Sequence, residues 1–206
     1  MSDIVYGSDQ LKPTLVIDDI VDASFADFIE KTIFAAPWQF MYDVTGREGN
    51  PYPSMGFVNV MKMYGNGVVS PLYEIIAVPI INAIIEKTDL KISDVSLARS
   101  YLQTPLHPKF VKKHNGVHID WHEPHLVVVY YVNDADGLSF VFEENYLQKQ
   151  KYPEQLEDIV YTHTHKTVTA KKGRVLIFDG YRYHASSQPQ NGPRCILDFN
   201  LEMKDD

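Results

Sequence analysis

The sequence contains only one cysteine, Cys195, among its 206 residues. A single cysteine excludes an internal disulfide and a cysteine-based zinc finger, and it is typical of a reducing compartment. We therefore expect a cytoplasmic protein. Because a chain of this length buries about two-thirds or more of the surface that it exposes when unfolded, it needs neither disulfides nor a structural metal for stability. Any metal that it binds is then free to serve a function.

Long apolar runs and an excess of basic residues are also missing. No stretch approaches 18 consecutive apolar residues, and the first residues lack the basic and apolar regions of a signal peptide. We therefore expect no membrane association. The formal net charge is −8, which repels a polyphosphate backbone over most of the surface. Nucleic acid is a disfavoured partner for that reason, and no pattern in the sequence indicates an oligomeric state.

The N-terminal part shows helical periodicity. Asp22 is placed to cap a helix over Ala23–Ala36, and a second helix with a broad apolar face is predicted over Pro71–Lys87. A short apolar strand, Leu15–Ile17, precedes them. Between the helices, Tyr42–Gly67 is rich in glycine, proline and asparagine and is long for a structureless connection. It is either a functional loop or a segment that contains short strands.

From Val95 onward, short runs rich in Val, Ile, Phe and Tyr are separated by Gly, Pro, Asn and Asp, which indicates β-structure. The predicted strands are Val95–Leu102, Val117–Ile119, Leu126–Val132, Leu138–Phe142, Thr167–Thr169, Arg174–Phe178 and Arg194–Leu201. Helices followed by many strands favour one mainly β domain over residues 1–206, a sandwich or barrel buttressed by helices. The helical part covers about residues 1–93 and the β core about residues 94–203.

The residues most suited to chemistry are His118 and Asp120. In an extended segment alternate side chains share a face, so both can point at one ion. His184, after the predicted strand Arg174–Phe178, is the candidate third ligand. Two imidazoles and one carboxylate leave three positions open on an octahedral ion, which suits Fe(II) binding an oxoacid and dioxygen. In an alternative arrangement, His122 is the third ligand and His184 is structural.

Arg194 is the candidate partner for the carboxylate of such an oxoacid. It lies ten residues after His184, in the last predicted strand, on the less apolar face that also carries Asp198 and Asn200. Arginine matches a carboxylate with two parallel hydrogen bonds. An ion pair with an aspartate of the same strand is the structural alternative.

This ordered set of residues resembles the 2-oxoglutarate- and Fe(II)-dependent oxygenases, in particular their prolyl 4-hydroxylase-like branch. The resemblance covers about Val95 to Met203, roughly half of the chain. It is carried, in the family's order, by His118-Ile119-Asp120, Tyr130-Tyr131-Val132-Asn133, Lys172-Gly173-Arg174-Val175-Leu176-Ile177-Phe178, Tyr183-His184 and Arg194. The resemblance implies a double-stranded β-helix, the jelly-roll fold whose mouth carries the metal.

The resemblance also implies roles for individual residues. His118, Asp120 and His184 match the iron ligands, and Arg194 matches the residue that binds the distal carboxylate of 2-oxoglutarate. Softer matches to cosubstrate-binding residues are Tyr130 and Tyr101, for which ordinary core aromatics are the alternative. The implied cofactors are Fe(II) and 2-oxoglutarate, with ascorbate as a further candidate. The implied reaction is a dioxygen-dependent hydroxylation of a protein or peptide side chain, a prolyl included, or of a small molecule.

The chain departs from the family pattern at two places. Asp136-Gly137-Leu138 stands where the family commonly has a Gly-Gly-Glu-Thr-like turn. Asn200 stands where the branch that repairs alkylated nucleic acid has a second arginine, which argues against base demethylation. We expect substrate selection by Trp121, by the Tyr42–Gly67 segment and by the turn Gly180–Tyr183.

Two other classes of function remain open. A jelly-roll binding module keeps the fold and loses a metal ligand, whereas all three ligands are present here. A cupin-like metalloenzyme typically combines His-x-His with a glutamate and a later histidine, and Arg194 favours the oxygenase over it. The remaining histidines are expected to be solvated: His163 and His165 on an exposed loop or edge strand, and His107 and His114 on the surface.

Overall fold

A computed structural model describes residues 11–43, 55–107, 109, 114–146 and 163–204. The predicted Tyr42–Gly67 segment therefore lies partly outside the described residues, since residues 44–54 are not among them. Within the described ranges, no helix is long and apolar enough to cross a membrane.

The described part contains two α-helices and eleven strands. The helices are α1, Ala23–Phe34, and α2, Val78–Thr88, which a π-helical turn, Tyr73–Ala77, precedes. The strands are β1 Leu15–Ile17, β2 Gln39–Met41, β3 Gly56–Met63, β4 Gly67–Val68, β5 Ile92–Gln103, β6 Leu126–Tyr131, β7 Ala135–Asn145, β8 Thr164–Ala170, β9 Val175–Asp179, β10 Arg182–Ser186 and β11 Arg194–Met203.

The strands form two antiparallel sheets. The major sheet has the order β1-β9-β6-β11-β5-β3-β2, with β4 paired to β3, and the minor sheet has the order β10-β7-β8. In the minor sheet, β10 and β8 both pair with the central strand β7. This is the predicted double-stranded β-helix, so the fold class is confirmed.

The two helices cover the outer face of the major sheet. The Asp22 carboxylate accepts a hydrogen bond from the Phe25 amide at 2.9 Å, which caps α1 as predicted. Isoleucines of both helices, among them Ile33 and Ile80, pack in one cluster with Phe199 and other residues of the sheet. The helices therefore support the sheet on its outer face, and the inner face of the sheet lines the cavity.

Strand alternation assigns each side chain of the major sheet to one of these faces. On β11, Leu197 and Phe199 belong to the helix-covered cluster, whereas Arg194, Ile196 and Asp198 line a cavity on the inner face. The face of β11 that carries Arg194 and Asp198 thus points into the space between the two sheets. It is the face that the sequence predicted to be the less apolar one.

The N-terminal part also supplies strands. β1, Leu15–Ile17, is the strand that was predicted, whereas β2 was not predicted and β3 lies within Tyr42–Gly67, for which short strands were one of the two alternatives. All of them join the major sheet together with β4, and β3 pairs with β5 through partners such as Val58 and Tyr101. β3 begins at Gly56, directly after a Gly- and Pro-rich segment, and pairs with β2 on one side and with β5 on the other. β10 was not predicted either, because two residues of the turn Asp179-Gly180-Tyr181 separate it from β9.

Candidate functional site

His118 and His184 are held together by their own backbones. The His118 amide donates to the His184 carbonyl at 3.0 Å, and the His184 amide donates to the His118 carbonyl at 2.9 Å. This exchange of hydrogen bonds sets the two imidazole rings 4.4 Å apart, measured between ring centroids. β10 thereby brings a histidine from 66 residues away onto the same face as the His118-Ile119-Asp120 segment.

Asp120 completes a compact three-residue cluster. Its Oδ1 lies 3.8 Å from His118 Nε2, and its Oδ2 lies 3.7 Å from His184 Nε2. The potential ligand atoms of the three residues all lie within 4.8 Å of one another. The three side chains can therefore reach one metal ion together.

The backbone also sets the tautomers of both histidines. His118 Nδ1 lies 2.9 Å from the Gly116 carbonyl oxygen, and His184 Nδ1 lies 3.1 Å from the Arg182 carbonyl oxygen. Because a carbonyl oxygen only accepts hydrogen bonds, the proton belongs on Nδ1 in each ring, and the Nε2 lone pair is free for a metal.

The charge states of the cluster match a metal site. Burial lowers the pKa of His118 to about 4 and also lowers the pKa of His184, so both imidazoles are neutral near pH 7. Burial opposes the charged form of Asp120, but attraction to His184, Arg99 and His118 outweighs it and lowers the pKa of that carboxyl. Two neutral imidazoles and one carboxylate are a donor set that suits a divalent transition metal.

His122, the alternative third ligand, is not part of the cluster. It is exposed, and its ring lies 5.2 Å from that of Tyr146, measured between centroids. His184 occupies the third position instead. The geometry therefore favours the pair of histidines that the resemblance implied.

Arg194 lines the same cavity as His118, Asp120 and His184. It is 2% exposed, and every partner that the described residues offer its guanidinium is neutral. Nη1 donates to Gln103 Oε1 at 2.9 Å, Nη2 donates to Ser139 Oγ at 2.6 Å, and the group lies 5.6 Å from the centre of the Tyr131 ring. The structural alternative was an ion pair with the aspartate of the same strand, but within the described ranges Asp198 pairs with Arg99 and not with Arg194.

The two predicted tyrosines have different positions. Tyr101 lines the cavity. Tyr130 points away from it, into the cluster beneath the helices, and its buried hydroxyl has no hydrogen-bond partner in the described part. The neighbouring Tyr131 faces inward, where its hydroxyl donates to Ser139 Oγ at 2.8 Å and its ring contacts Arg194. Because adjacent strand residues point to opposite faces, Tyr131 and not Tyr130 is the residue of this pair that contacts Arg194.

Sequence reasoning missed a second arginine of the cavity, the partly buried Arg99. Its Nε donates to Asp198 Oδ2 at 2.8 Å, and its Nη2 donates to Asp120 Oδ1 at 3.3 Å. Arg99 and Asp198 are register partners on β5 and β11. The available signal was the alternation Arg99, Tyr101, Gln103, which places all three on the face of β5 that lines the cavity.

The residues expected to select a substrate are only partly at the surface. Trp121 is partly exposed beside the ligands and lies against Tyr64, with 5.0 Å between the ring centroids. Tyr183, in contrast, is fully buried in the minor-sheet cluster, and Gly180 packs directly against the ring of His125. Tyr181 and Arg182, between these two buried residues, are partly exposed. Residues 44–54 of the other predicted segment lie outside the described residues.

The other histidines are mostly exposed. His163, His165 and His107 are exposed, and β8, which carries His165, is an edge strand of the minor sheet. His114 differs from the expectation because it is partly buried against Phe140 and Phe142, with ring centroids 6.0 and 5.7 Å away.

Solved structures share this arrangement of strands. An oxidoreductase of the 2OG-Fe(II) oxygenase family from Burkholderia pseudomallei is 12% identical, with a TM-score of 0.65 over 92% of this chain and 84% of that chain. HygX from Streptomyces hygroscopicus, with nickel, 2-oxoglutarate and hygromycin B bound, is 12% identical, with a TM-score of 0.56 over 93% and 83%. The fold is that of the 2-oxoglutarate/Fe(II) oxygenases.

A third similar structure is a prolyl hydroxylase from Trichoplax adhaerens in complex with a hypoxia inducible factor peptide. It is 13% identical, with a TM-score of 0.51 over 92% of this chain and 83% of that chain. No protein-family model and no curated protein sequence matches the chain. At these identities the similarity establishes the fold, and the chemistry has to be argued from the residues of the cavity.

Proposed function

We propose that this protein is a 2-oxoglutarate- and Fe(II)-dependent oxygenase, a hydroxylase that holds iron through His118, Asp120 and His184. The observation that carries the proposal is the pairing of two incomplete groups in one cavity. One is a three-ligand cluster suited to a divalent metal, and the other is the buried cation Arg194, whose described partners are all neutral.

The surroundings of Arg194 fit the distal carboxylate of 2-oxoglutarate. A buried cation without a counter-charge is unfavourable, so a site that keeps one gains when an anion binds. Hydrogen bonds from Nη1 to Gln103 and from Nη2 to Ser139 fix the plane of the guanidinium, while its Nε has no partner within the described residues. A dicarboxylic oxoacid supplies the missing charge at one end and donor oxygens for a metal at the other.

The remaining cavity residues position the reactants and exclude water. Val127, Val129, Leu176 and Phe178 form an apolar wall, and Tyr101 adds an aromatic side chain beside it. When bound, iron supplies the activation of dioxygen, coupled to oxidation of 2-oxoglutarate to succinate and carbon dioxide. The protein's contribution is to orient the oxoacid through Arg194 and to present two neutral imidazoles and one carboxylate to the metal.

The substrate that is hydroxylated is proposed to be a protein or peptide side chain or a small molecule. The Trichoplax prolyl hydroxylase holds a peptide and the Streptomyces protein holds hygromycin B, so this fold accommodates both kinds of ligand. The alternative classes explain less. A binding module has no need for the three ligands, and a cupin-like enzyme gives no reason for the buried Arg194.

Succinate formation from 2-oxoglutarate tests the proposal. The protein is loaded with Fe(II) without oxygen and then exposed to air, with peptides and small molecules screened as substrates. Wild type should form succinate, His118→Ala should form none, and Arg194→Met should require a much higher 2-oxoglutarate concentration. His165→Ala, which removes an exposed histidine on β8, is the matched control and should behave as wild type. Succinate formation that survives His118→Ala would contradict the proposed metal site.

A further inference from the structure

We propose that Arg99 is a positioning residue that occupies one oxygen of Asp120, so that this carboxylate offers a metal a single oxygen. This inference rests on the proposed function. It concerns a residue that lies outside the matched motifs and comes from β5, a different strand from those that carry His184 and Arg194.

The geometry places the Arg99 guanidinium between two carboxylates. It donates from Nε to Asp198 Oδ2 at 2.8 Å and from Nη2 to Asp120 Oδ1 at 3.3 Å. Both aspartate side chains are 7% exposed, and that of Arg99 is 21% exposed. The guanidinium also lies 4.7 Å from the centre of the Tyr101 ring. These contacts hold the fork in one plane, so its direction toward Asp120 is set by the fold.

The Asp198 carboxylate alone would neutralise Arg99, so charge balance does not require the contact with Asp120. Both oxygens of Asp120 face the cluster, Oδ1 at 3.8 Å from His118 Nε2 and Oδ2 at 3.7 Å from His184 Nε2, and the contact with Arg99 engages Oδ1 and leaves Oδ2 without this competing donor. Partners of this kind orient a ligand before the metal arrives, and their loss typically weakens a site by about 10–100-fold.

The number of oxygens that Asp120 offers decides how many positions stay open. A carboxylate can bind a cation through one oxygen or both. If Asp120 offered one oxygen, the two imidazoles and Asp120 would take three of the six positions of an octahedral ion, and three would remain for a chelating oxoacid and dioxygen. With both, one of those positions is lost, and the oxoacid and dioxygen compete for two. Arg99 therefore protects the capacity of the site for 2-oxoglutarate.

The variants must remove the Asp120 contact without leaving Asp198 as a second buried and unpaired carboxylate. Arg99→Met combined with Asp198→Asn removes the cation together with its main counter-charge. Asp198→Asn alone keeps a side-chain oxygen that can accept the hydrogen bond from Arg99 Nε, so it retains the contact of Arg99 with Asp120 and is the matched control. Arg99→Lys is a second test, because it keeps the charge but lacks the planar fork that reaches both carboxylates.

The readouts are the visible absorption of the protein loaded with Co(II) without oxygen, and calorimetric binding of 2-oxoglutarate to that form. We expect the double variant and Arg99→Lys to change the Co(II) spectrum and to bind 2-oxoglutarate at least about tenfold more weakly. Asp198→Asn should keep the wild-type spectrum and stay within about threefold of its affinity. Circular dichroism of the metal-free proteins confirms that each variant is folded.

The outcomes separate the two proposals. If wild type binds Co(II) and 2-oxoglutarate, and the double variant and Arg99→Lys match Asp198→Asn in spectrum and affinity, the positioning role of Arg99 is overturned and the proposed function stands. If wild type binds neither, the proposed function is overturned and this inference falls with it.

Discussion

The two arginines that line the cavity have opposite surroundings. Arg99 lies between two carboxylates, Asp198 and Asp120, whereas Arg194 has only the neutral partners Gln103, Ser139 and Tyr131 among the described residues. Both arginines sit on the inner face of the same sheet, on the neighbouring strands β5 and β11. The fold therefore provides the counter-charge of Arg99, whereas the counter-charge of Arg194 is left to a ligand.

The two environments shift the pKa values of the two guanidinium groups in opposite directions. At Arg99, burial lowers the pKa of the guanidinium, but Tyr101 and the carboxylates of Asp198 and Asp120 outweigh burial and raise the pKa, so the cation stays charged. At Arg194, burial is the main influence and lowers the pKa, because no nearby carboxylate offsets the loss of water. A buried cation of the second kind costs stability in the free protein and is retained only where its function requires it.

The largest expected effect is the difference in the free energy of unfolding between Arg99→Met and Arg194→Met. Arg99→Met leaves two buried carboxylates without their cation and should lower the free energy of unfolding by roughly 3–5 kcal/mol. Arg194→Met removes an uncompensated cation and should change it by less than about 1 kcal/mol, since the loss of two hydrogen bonds offsets the gain. Urea unfolding of the metal-free proteins measures both. Equal losses for the two variants would break the comparison.

Acid should affect the metal-ligand end of the cavity and not the partners of Arg194, because Gln103 and Ser139 do not titrate. The pKa of His118 is lowered by burial from 6.5 to about 4. Its stabilising contribution is therefore complete above pH 6.5 and is lost as the pH falls through 4, by up to roughly 3 kcal/mol.

Thermal unfolding of the metal-free protein between pH 7 and 4 measures this effect. Asp198 acts in the opposite direction, since burial raises the pKa of its carboxyl to about 6, so the wild-type curve alone is not decisive. The difference between wild type and His118→Gln isolates the imidazole. His118→Gln should lose less stability toward acid, and parallel curves would contradict the assignment.

Gly137→Ala gives a smaller effect at the Arg194 end. A Cβ at this position would lie 2.6 Å from Arg194 Cδ and 3.1 Å from the Ser187 carbonyl oxygen. The arginine must move, which should weaken 2-oxoglutarate binding by about tenfold and lower the free energy of unfolding by about 1–3 kcal/mol. Gly192→Ala has no heavy atom within 4 Å of its new Cβ and is the control. Equal affinities for the two variants would show that the position of Arg194 does not matter.

The sequence was sufficient for features that depend on local pattern. Asp22 before an apolar periodicity predicted α1, and the polar alternation on β11 placed Arg194 and Asp198 on the inner face. The spacing of His118 and Asp120 likewise predicted that both could face one point. These features depend on capping and on the two-residue period of a strand, which neighbouring residues determine.

Features that depend on pairing between distant strands could not be predicted from local sequence patterns. β3 forms against β5, and the Arg99–Asp198 pair depends on the register of β5 with β11. The sequence pointed to Tyr130, whereas Tyr131 is the residue that contacts Arg194. This difference has the same origin, since a shift of one residue reverses the face of a strand. A run such as Leu126–Val132 is apolar on both faces and does not reveal which face lines the cavity.

Binding of 2-oxoglutarate measured calorimetrically without oxygen, with and without Fe(II), tests the central claim most directly. The account expects binding that needs the metal, disappears in His118→Ala and weakens at least about tenfold in Arg194→Met, because one ligand must reach both ends of the cavity. Binding that is equally tight without metal, or unaffected by Arg194→Met, would contradict a single site built from the His118, Asp120 and His184 cluster and the buried arginine.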